Sequence, residues 1–357
     1  MKIENNIPFV AYSLPYKRGF YLIAQNDPEI IKYHNYDFLN KKGFVLFPFK
    51  DTFSQYPALF IREDKKRFFE ANENLTDNVT FHSNKLLELN DLDYSYNAEY
   101  GDKEYFKKIV SQAIASIKND QVDKVVLSRK RAEKLPKDIN IFSVFDKLRG
   151  LYPNAFNYIF YTPSNGFWLG ATPETLIHYQ NYRIYTEALA GTKGENSDTG
   201  WTIKEKNEQE FVSRHIKFVL NDNNIQLVKE KGPETIRAGK LYHLKTTFKA
   251  VEKQESDIEG LLRDLHPTPA VCGLPRNQSM SMIDALESYE RGYYTGFLGP
   301  LNGKKDFNFF VNLRCAQIIK DNLITYAGAG ITEDSNPEAE YEETEKKRKI
   351  LSRGFVK

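Results

Sequence analysis

Cysteine is nearly missing from this chain: two residues in 357, Cys272 and Cys315, with no CxxC pair. Two distant thiols make neither a disulfide framework nor a zinc cluster, and they suit a reducing cytoplasm. Nor is there an uninterrupted apolar run of about 18 residues, the length a membrane-spanning helix needs. The opening MKIENNIPFVAYSLPYKRGFYLIAQ has no cationic segment followed by a sustained apolar stretch, so no export signal is expected. An excess of one charge is lacking too. Lys plus Arg number 50 against 48 Asp plus Glu, a net charge of +2. A phosphate-backbone binder would carry a basic surplus, so nucleic acid is not an expected partner. No fixed-period repeat, low-complexity tract or long Pro/Gly/Ser linker occurs, which argues against a solenoid and gives no clean domain boundary. From these absences an unexported cytoplasmic protein that works without membrane or nucleic acid is expected.

Aromatic side chains are what the chain has in quantity: 25 Phe and 22 Tyr. They favour extended structure over a helical bundle, and the high count is first a packing signal. Short runs such as GFYLIAQ, GFVLFPF, YPALFI, FNYIFYTP, GFWLGA, YRIYTEALAG, FNFFVNLRCAQII and LITYAGAGI read as strands, each ending near Gly, Pro, Asn or Asp. Residues 103–119 place Phe106, Ile109, Val110, Ala113, Ile114 and Ile117 on one helical face. Segments 207–220, 258–264 and 338–351 read as helices on similar grounds. Strands and helices do not alternate as in a parallel nucleotide-binding fold, so the class is α+β with largely antiparallel sheets. Composition changes near residue 100. Residues 1–100 are a β-rich portion of the same fold, and 101–357 carry dense Gly, Glu and Lys motifs.

Four stretches carry potential chemistry. In QVDKVVLSRK, Lys124 opens a strand; it is a solvated edge residue or, if burial depresses its pKa, a base. In GFWLGATPETLI, Glu174 follows a Gly-Ala-Thr-Pro turn, where it is either a helix first-turn residue or a functional carboxyl. In YTEALAGTKGE, Ala190, Gly191 and Thr192 form a tight hairpin turn or a wall that lets a ligand approach the backbone. In TYAGAGITEDSNPEAEYEETEKKRKIL, the residues Asp334, Ser335 and Asn336 lead to Pro337, a capped helix start with Pro at the first position. Glu340, Glu343 and Lys347 then project from one helix face. Two carboxylates there suit a hard cation held through oxygen. A solvated, salt-bridged helix is the alternative, given Glu338, Glu342, Glu345 and Lys346 nearby.

In order, KVVLSR, GATPETL, ALAGT, KNEQEF, LYHLKTT, LHPTPAVCGLP, ERGYYTGFLG, FFVNLRCA and the GAG to ETEKK block resemble the chorismate-utilising enzymes over residues 100–357. That family includes isochorismate, salicylate, anthranilate and aminodeoxychorismate synthases. The resemblance implies two large, mainly antiparallel β-sheets packed together with flanking helices, a magnesium cofactor, chorismate as substrate and a monomer. It implies Lys124 as the base that activates water and Glu174 as the acid that protonates the departing hydroxyl. It implies Glu210 and Glu343 as metal carboxylates with Glu340 in support. Arg314, Tyr294 and Lys347 would contact substrate carboxylates, and Gly191, Thr192, Ala270, Val271, Gly328 and Gly330 would form a close pocket wall. His243 matches a pocket histidine.

Within that family, amine-transferring members lack a lysine where Lys124 stands. Aminodeoxychorismate synthases carry a nucleophilic lysine where Ala190 stands. Both residues therefore point to water as nucleophile and to isochorismate synthase. Salicylate synthase, which goes on to eliminate pyruvate, shares these features, and an anthranilate synthase component I-like activity is a more distant alternative. Three departures stand out. Phe211 occupies the place of a usual His after the metal-binding Glu, Tyr341 that of a usual Trp, and the turn KGENSDTG lacks the usual arginine-rich form.

Overall fold

The computed structural model describes residues 3, 6–51, 55–79, 102–136, 139–194, 200–238, 241–254 and 256–355. Among the described residues, eighteen strands, numbered in chain order, divide between two nine-stranded sheets in which every pairing is antiparallel. The first sheet has the order β14 (Gly273–Leu274), β7 (Lys124–Lys134), β18 (Asn322–Ile331), β17 (Cys315–Ile319), β9 (Gly166–Thr172), β8 (Phe156–Thr162), β1 (Phe9–Ser13), β2 (Phe20–Ala24) and β6 (Lys65–Phe69). The second runs β12 (Ile225–Ala238), β13 (Leu241–Glu252), β11 (Arg183–Gly194), β10 (Thr175–Gln180), β16 (Asp306–Val311), β15 (Phe297–Asn302), β4 (Lys42–Phe47), β5 (Ala58–Arg62) and β3 (Ile31–Tyr33). The helices are α1 (Leu75–Asn78), α2 (Lys103–Lys118), α3 (Ile141–Leu151), α4 (Ile203–Asp222), α5 (Ile258–Leu265), α6 (Arg276–Leu286) and α7 (Pro337–Ser352). Among the described residues none is long and apolar enough to cross a membrane.

Strand sequences explain the layering. Successive side chains point to opposite faces, so in β8 Phe156, Tyr158 and Phe160 enter the layer between the sheets, whereas Ile159 and Tyr161 pack outward under α3. Being buried on both faces makes FNYIFYT nearly continuous in apolar residues, a pattern more usual in parallel sheets. Aromatics fill the middle layer: Phe156 of the first sheet stacks on Phe310 of the second with ring centroids 4.1 Å apart. Helices α4 and α5 cover the outer face of the second sheet, and α2 and α6 pack over β7 and β18. The predicted apolar face of α2 is the buried one, through Phe106, Ile109, Val110, Ala113 and Ile117.

Described strands from the first hundred residues belong to both sheets. The compositional change near residue 100 and most of the KGENSDTG turn lie outside the described residues. One predicted strand is in fact two. FNFFVNLRCAQII breaks into β16 and β17 because the chain leaves one sheet for the other at Asn312–Arg314. A second crossing, running antiparallel to the first, occurs at Pro173–Glu174 between β9 and β10. The two crossings are tied together by Val311 N–H to Glu174 O at 3.0 Å, Ala171 N–H to Arg314 O at 3.2 Å and the Thr172 hydroxyl to Val311 O at 2.6 Å. A two-stranded ribbon thus passes from sheet to sheet, and it carries Glu174 and Arg314.

Candidate active site

Beside that ribbon lies a cavity walled by Lys124, Glu174, Ala190, Gly191, Glu208, His243, Ala270, Val271, Tyr294, Arg314, Gly328, Gly330, Glu343 and Lys347, among others. Residues from both sheets and two helices meet there. Lys124 is the first residue of β7 and only 2% exposed. Its backbone is fixed by β14 and by the Ser279 hydroxyl, which donates to Lys124 O at 3.0 Å. The solvated-edge reading of Lys124 therefore falls. Among the described residues no carboxylate lies within ion-pair distance of its amine.

Glu174 is likewise buried and sits on no helix. Burial pushes its carboxyl up to about 8; Glu187 adds to this, and Lys124, Arg314 and Lys347 oppose it. A carboxyl held protonated at neutral pH is a proton donor.

Arg314 adopts φ of +47°, the left-handed region that a non-glycine residue enters only when its surroundings demand it. Its guanidinium donates to His243 Nε2 at 2.7 Å, and His243 Nδ1 in turn meets Gly191 O at 3.0 Å. That carbonyl can only accept, so Nδ1 carries the proton and the ring is neutral. Desolvation, with Arg314 adjacent, takes the imidazole down to about 3. Burial also brings the guanidinium itself down to about 10. Gly191 makes the chain possible: at φ +68° it forms the bulge between Ala190 and Thr192 that turns its carbonyl toward His243. Thr192 pairs with His243 along β11 and β13, and its side chain lies outside the described residues.

At Gly330 the requirement is space. A Cβ there would lie 3.0 Å from Lys124 Cε and 3.3 Å from a Glu208 oxygen. At Gly328 it would lie 3.3 Å from the Tyr294 hydroxyl. Tyr294 is buried and stacks on Tyr326, with centroids 5.1 Å apart.

Helix α7 starts as expected, with the Asn336 side chain accepting from the amides of Glu338 and Ala339 and Pro337 following. Its three projecting residues divide. Glu343 and Lys347 enter the cavity as a 2.6 Å ion pair, and Lys347 also donates to Gly328 O at 3.0 Å. Burial opposes ionisation of Glu343, yet Lys347, Lys204 and Lys124 outweigh it and hold its pKa below the usual value. Glu340 turns aside to Lys204, at 2.6 Å, and to the Ser335 hydroxyl, at 2.7 Å. The flanking carboxylates are taken elsewhere: Glu338 by Lys103 and Lys107, Glu345 by Arg129 and Arg348.

The expectation for Glu210 fails. Its side chain is 50% exposed and pairs with Arg214 one turn along α4. Glu208, two residues earlier, lines the cavity. Helical phase is the reason, since Glu208 shares the face of Val212 and Ile216, which are buried, and a step of two residues turns Glu210 outward. The residue after the inward carboxylate is accordingly Gln209, not Phe211. Gln209 clamps α4 to the sheet: Oε1 accepts from Ala190 N–H at 3.1 Å, and Nε2 donates to Ala188 O at 3.2 Å and Thr246 at 2.9 Å.

A family model described as "Chorismate binding enzyme" matches residues 58–355. The chain belongs to the chorismate-binding enzyme family. Isochorismate synthase EntC of Escherichia coli strain K12 is 30% identical over 249 residues, 67% of this chain and 64% of that protein. Anthranilate synthase component 1 of Saccharolobus solfataricus is 30% identical over 270 residues, 72% of this chain and 63% of that one. Each match thus spans a little under two thirds of the relative. A solved structure described as a putative 2,3-dihydroxybenzoate-specific isochorismate synthase, DhbC from Bacillus anthracis, superposes with a TM-score of 0.79 over 97% of this chain and 96% of that one. At 23% identity that likeness is one of fold.

For a chorismate-binding enzyme the donor set bears on a metal. Among the described residues no group of three or more His, Cys, Asp or Glu forms a ready cage. Two carboxylates, Glu208 and Glu343, do line one cavity from two helices. That set fits magnesium, which binds through one or two protein carboxylates, keeps waters and shares itself with an anionic substrate.

Proposed function

We propose that this protein is an isochorismate synthase, interconverting chorismate and isochorismate in the cytoplasm with magnesium as cofactor. The observation that carries the reading is Lys124 and Glu174, both buried and both lining one cavity, with Ala190 rather than a lysine in the ALAGT segment.

Chorismate is a dianion. Arg314, oriented by neutral His243, offers a planar two-pronged donor to one carboxylate, and Lys347 adds a second cation. Glu208 and Glu343 would hold the magnesium ion, which supplies Lewis-acid polarisation of the ring carboxylate and so eases attack on the neighbouring carbon. Lys124 takes a proton from the attacking water. Glu174 gives its proton to the hydroxyl leaving C4. The double bonds shift between the two sites, and atoms and charge balance because one water enters as another departs. In the reverse direction the two side chains exchange roles.

Incubating the purified chain with chorismate and magnesium and separating products by chromatography tests the reading. Isochorismate is expected, and Lys124→Ala is expected to abolish its formation while the fold persists. Salicylate with pyruvate would instead assign a lyase step, and an aminated ring in the presence of ammonium would refute water as nucleophile.

A further inference from the structure

Glu187 lies in β11, three residues before Ala190, and is 5% exposed. It is not part of the wall around Lys124. It lines a second, wider cavity that shares Pro173 and Arg314 with the first. Three strands converge on its carboxylate. Oε1 accepts from the Thr175 amide of β10 at 3.1 Å, while Oε2 receives the Tyr185 hydroxyl of β11 at 2.9 Å and the Lys245 ammonium of β13 at 2.5 Å. Thr175 is the residue that follows Glu174.

We propose that Glu187 is a positioning residue for Glu174, an inference resting on the acid role given above. It holds the Thr175 amide, and with it the backbone that aims the acid, and it sets a second carboxylate beside the first so that Glu174 keeps its proton. Burial is the first cause that keeps the proton on Glu174, and Glu187 is the second. Lys124 from β7, Arg314 from the ribbon and Lys347 from α7 all face Glu174, and each cation draws the proton off. Burial acts against them, and so does Glu187. Of the other carboxylates in the cavity, Glu343 pairs with Lys347 and Glu208 stands by Gly330.

Infrared difference spectra between each chain and its Glu174→Gln counterpart report the protonated Glu174 carbonyl as pH is varied, with no turnover required. Glu187→Gln keeps an acceptor for the Thr175 amide but removes the charge. Its Glu174 midpoint should fall by about one pH unit, and the basic limb of kcat for isochorismate formation should fall with it while KM stays within about twofold. Lys245→Met bares the Glu187 charge and should move the midpoint the other way. Glu187→Ala frees the amide as well and should lower kcat at every pH. An unmoved infrared midpoint in Glu187→Gln, or a downward one in Lys245→Met, overturns the proposal. A wild-type chain that makes no isochorismate but shows these spectral shifts would refute the acid role alone.

Discussion

Replacing Glu174 by Gln should destroy activity and stabilise the fold, in a way that depends on pH. The carboxyl goes from an ordinary 4.5 to about 8 on folding. Between those values the folded chain binds a proton that the unfolded chain has released, so stability falls as pH rises through the window. At about 1.4 kcal/mol per pH unit, the cost is under ~1 kcal/mol at pH 5, roughly 3 kcal/mol at pH 7 and ~4 kcal/mol at pH 8. Glutamine never ionises and escapes this cost while nearly preserving shape.

A chain of 357 residues has an unfolding entropy on the order of 0.75 kcal/mol/K, so a difference of roughly 3 to 4 kcal/mol corresponds to about 5 °C. Calorimetry at pH 5, 6.5 and 8 should find the Tm advantage of Glu174→Gln growing by about that much across the series. Turnover should fall roughly 100- to 10,000-fold, because an amide has no proton to give the leaving hydroxyl. A Tm difference that is the same at pH 5 and pH 8 would show that Glu174 ionises normally, and the acid assignment would fall with it.

The two carboxylates of α4 should behave oppositely. Glu208→Gln should raise the magnesium concentration needed for half-activity at least tenfold, read by metal titration of initial rates, whereas Glu210→Gln, which loses only an exposed pair with Arg214 worth about 0.3–0.5 kcal/mol, should leave both metal response and Tm nearly unchanged. Arg314→Lys keeps the charge but loses the planar fork and its donation to His243; kcat/KM for chorismate should drop about 10- to 100-fold. Gly330→Ala puts a methyl against the Lys124 side chain and Glu208, so rate should fall at least tenfold while circular dichroism stays native.

Where one physical period governs, the sequence is legible. The apolar stripe of α2 and the Asn336–Pro337 helix start both follow from local rules, and each is found. The break at Arg314 is not local. A left-handed residue in the middle of FNFFVNLRCAQII obeys the need to change sheets, which no propensity encodes. The hairpin of β12 and β13 escapes notice for a different reason: β12 is an edge strand whose residues 226–235 are mostly exposed, and its charges hide the alternation. Motif matching located α4 but not its phase. Counting back four from Val212 to Glu208 would have supplied it, because a carboxylate can reach a buried site only from the face that also carries the core residues.

The same rule of faces explains how the site is assembled. Neither sheet alone holds the paired chemistry: Lys124 opens a strand of the first, His243 belongs to the second, and Glu174 and Arg314 occupy the ribbon that passes between them. The ribbon's cross-hydrogen bonds tie the acid and the arginine backbones to each other, so their relative placement does not depend on how far the sheets slide. Lys124 has no such tie and is held through β14 and Ser279 instead. Disturbing the packing between the sheets should therefore move the base relative to the acid while leaving the acid and the arginine in register. In kinetic terms kcat should suffer before substrate binding does, since binding rests on the arginine and proton transfer needs both sides of the ring.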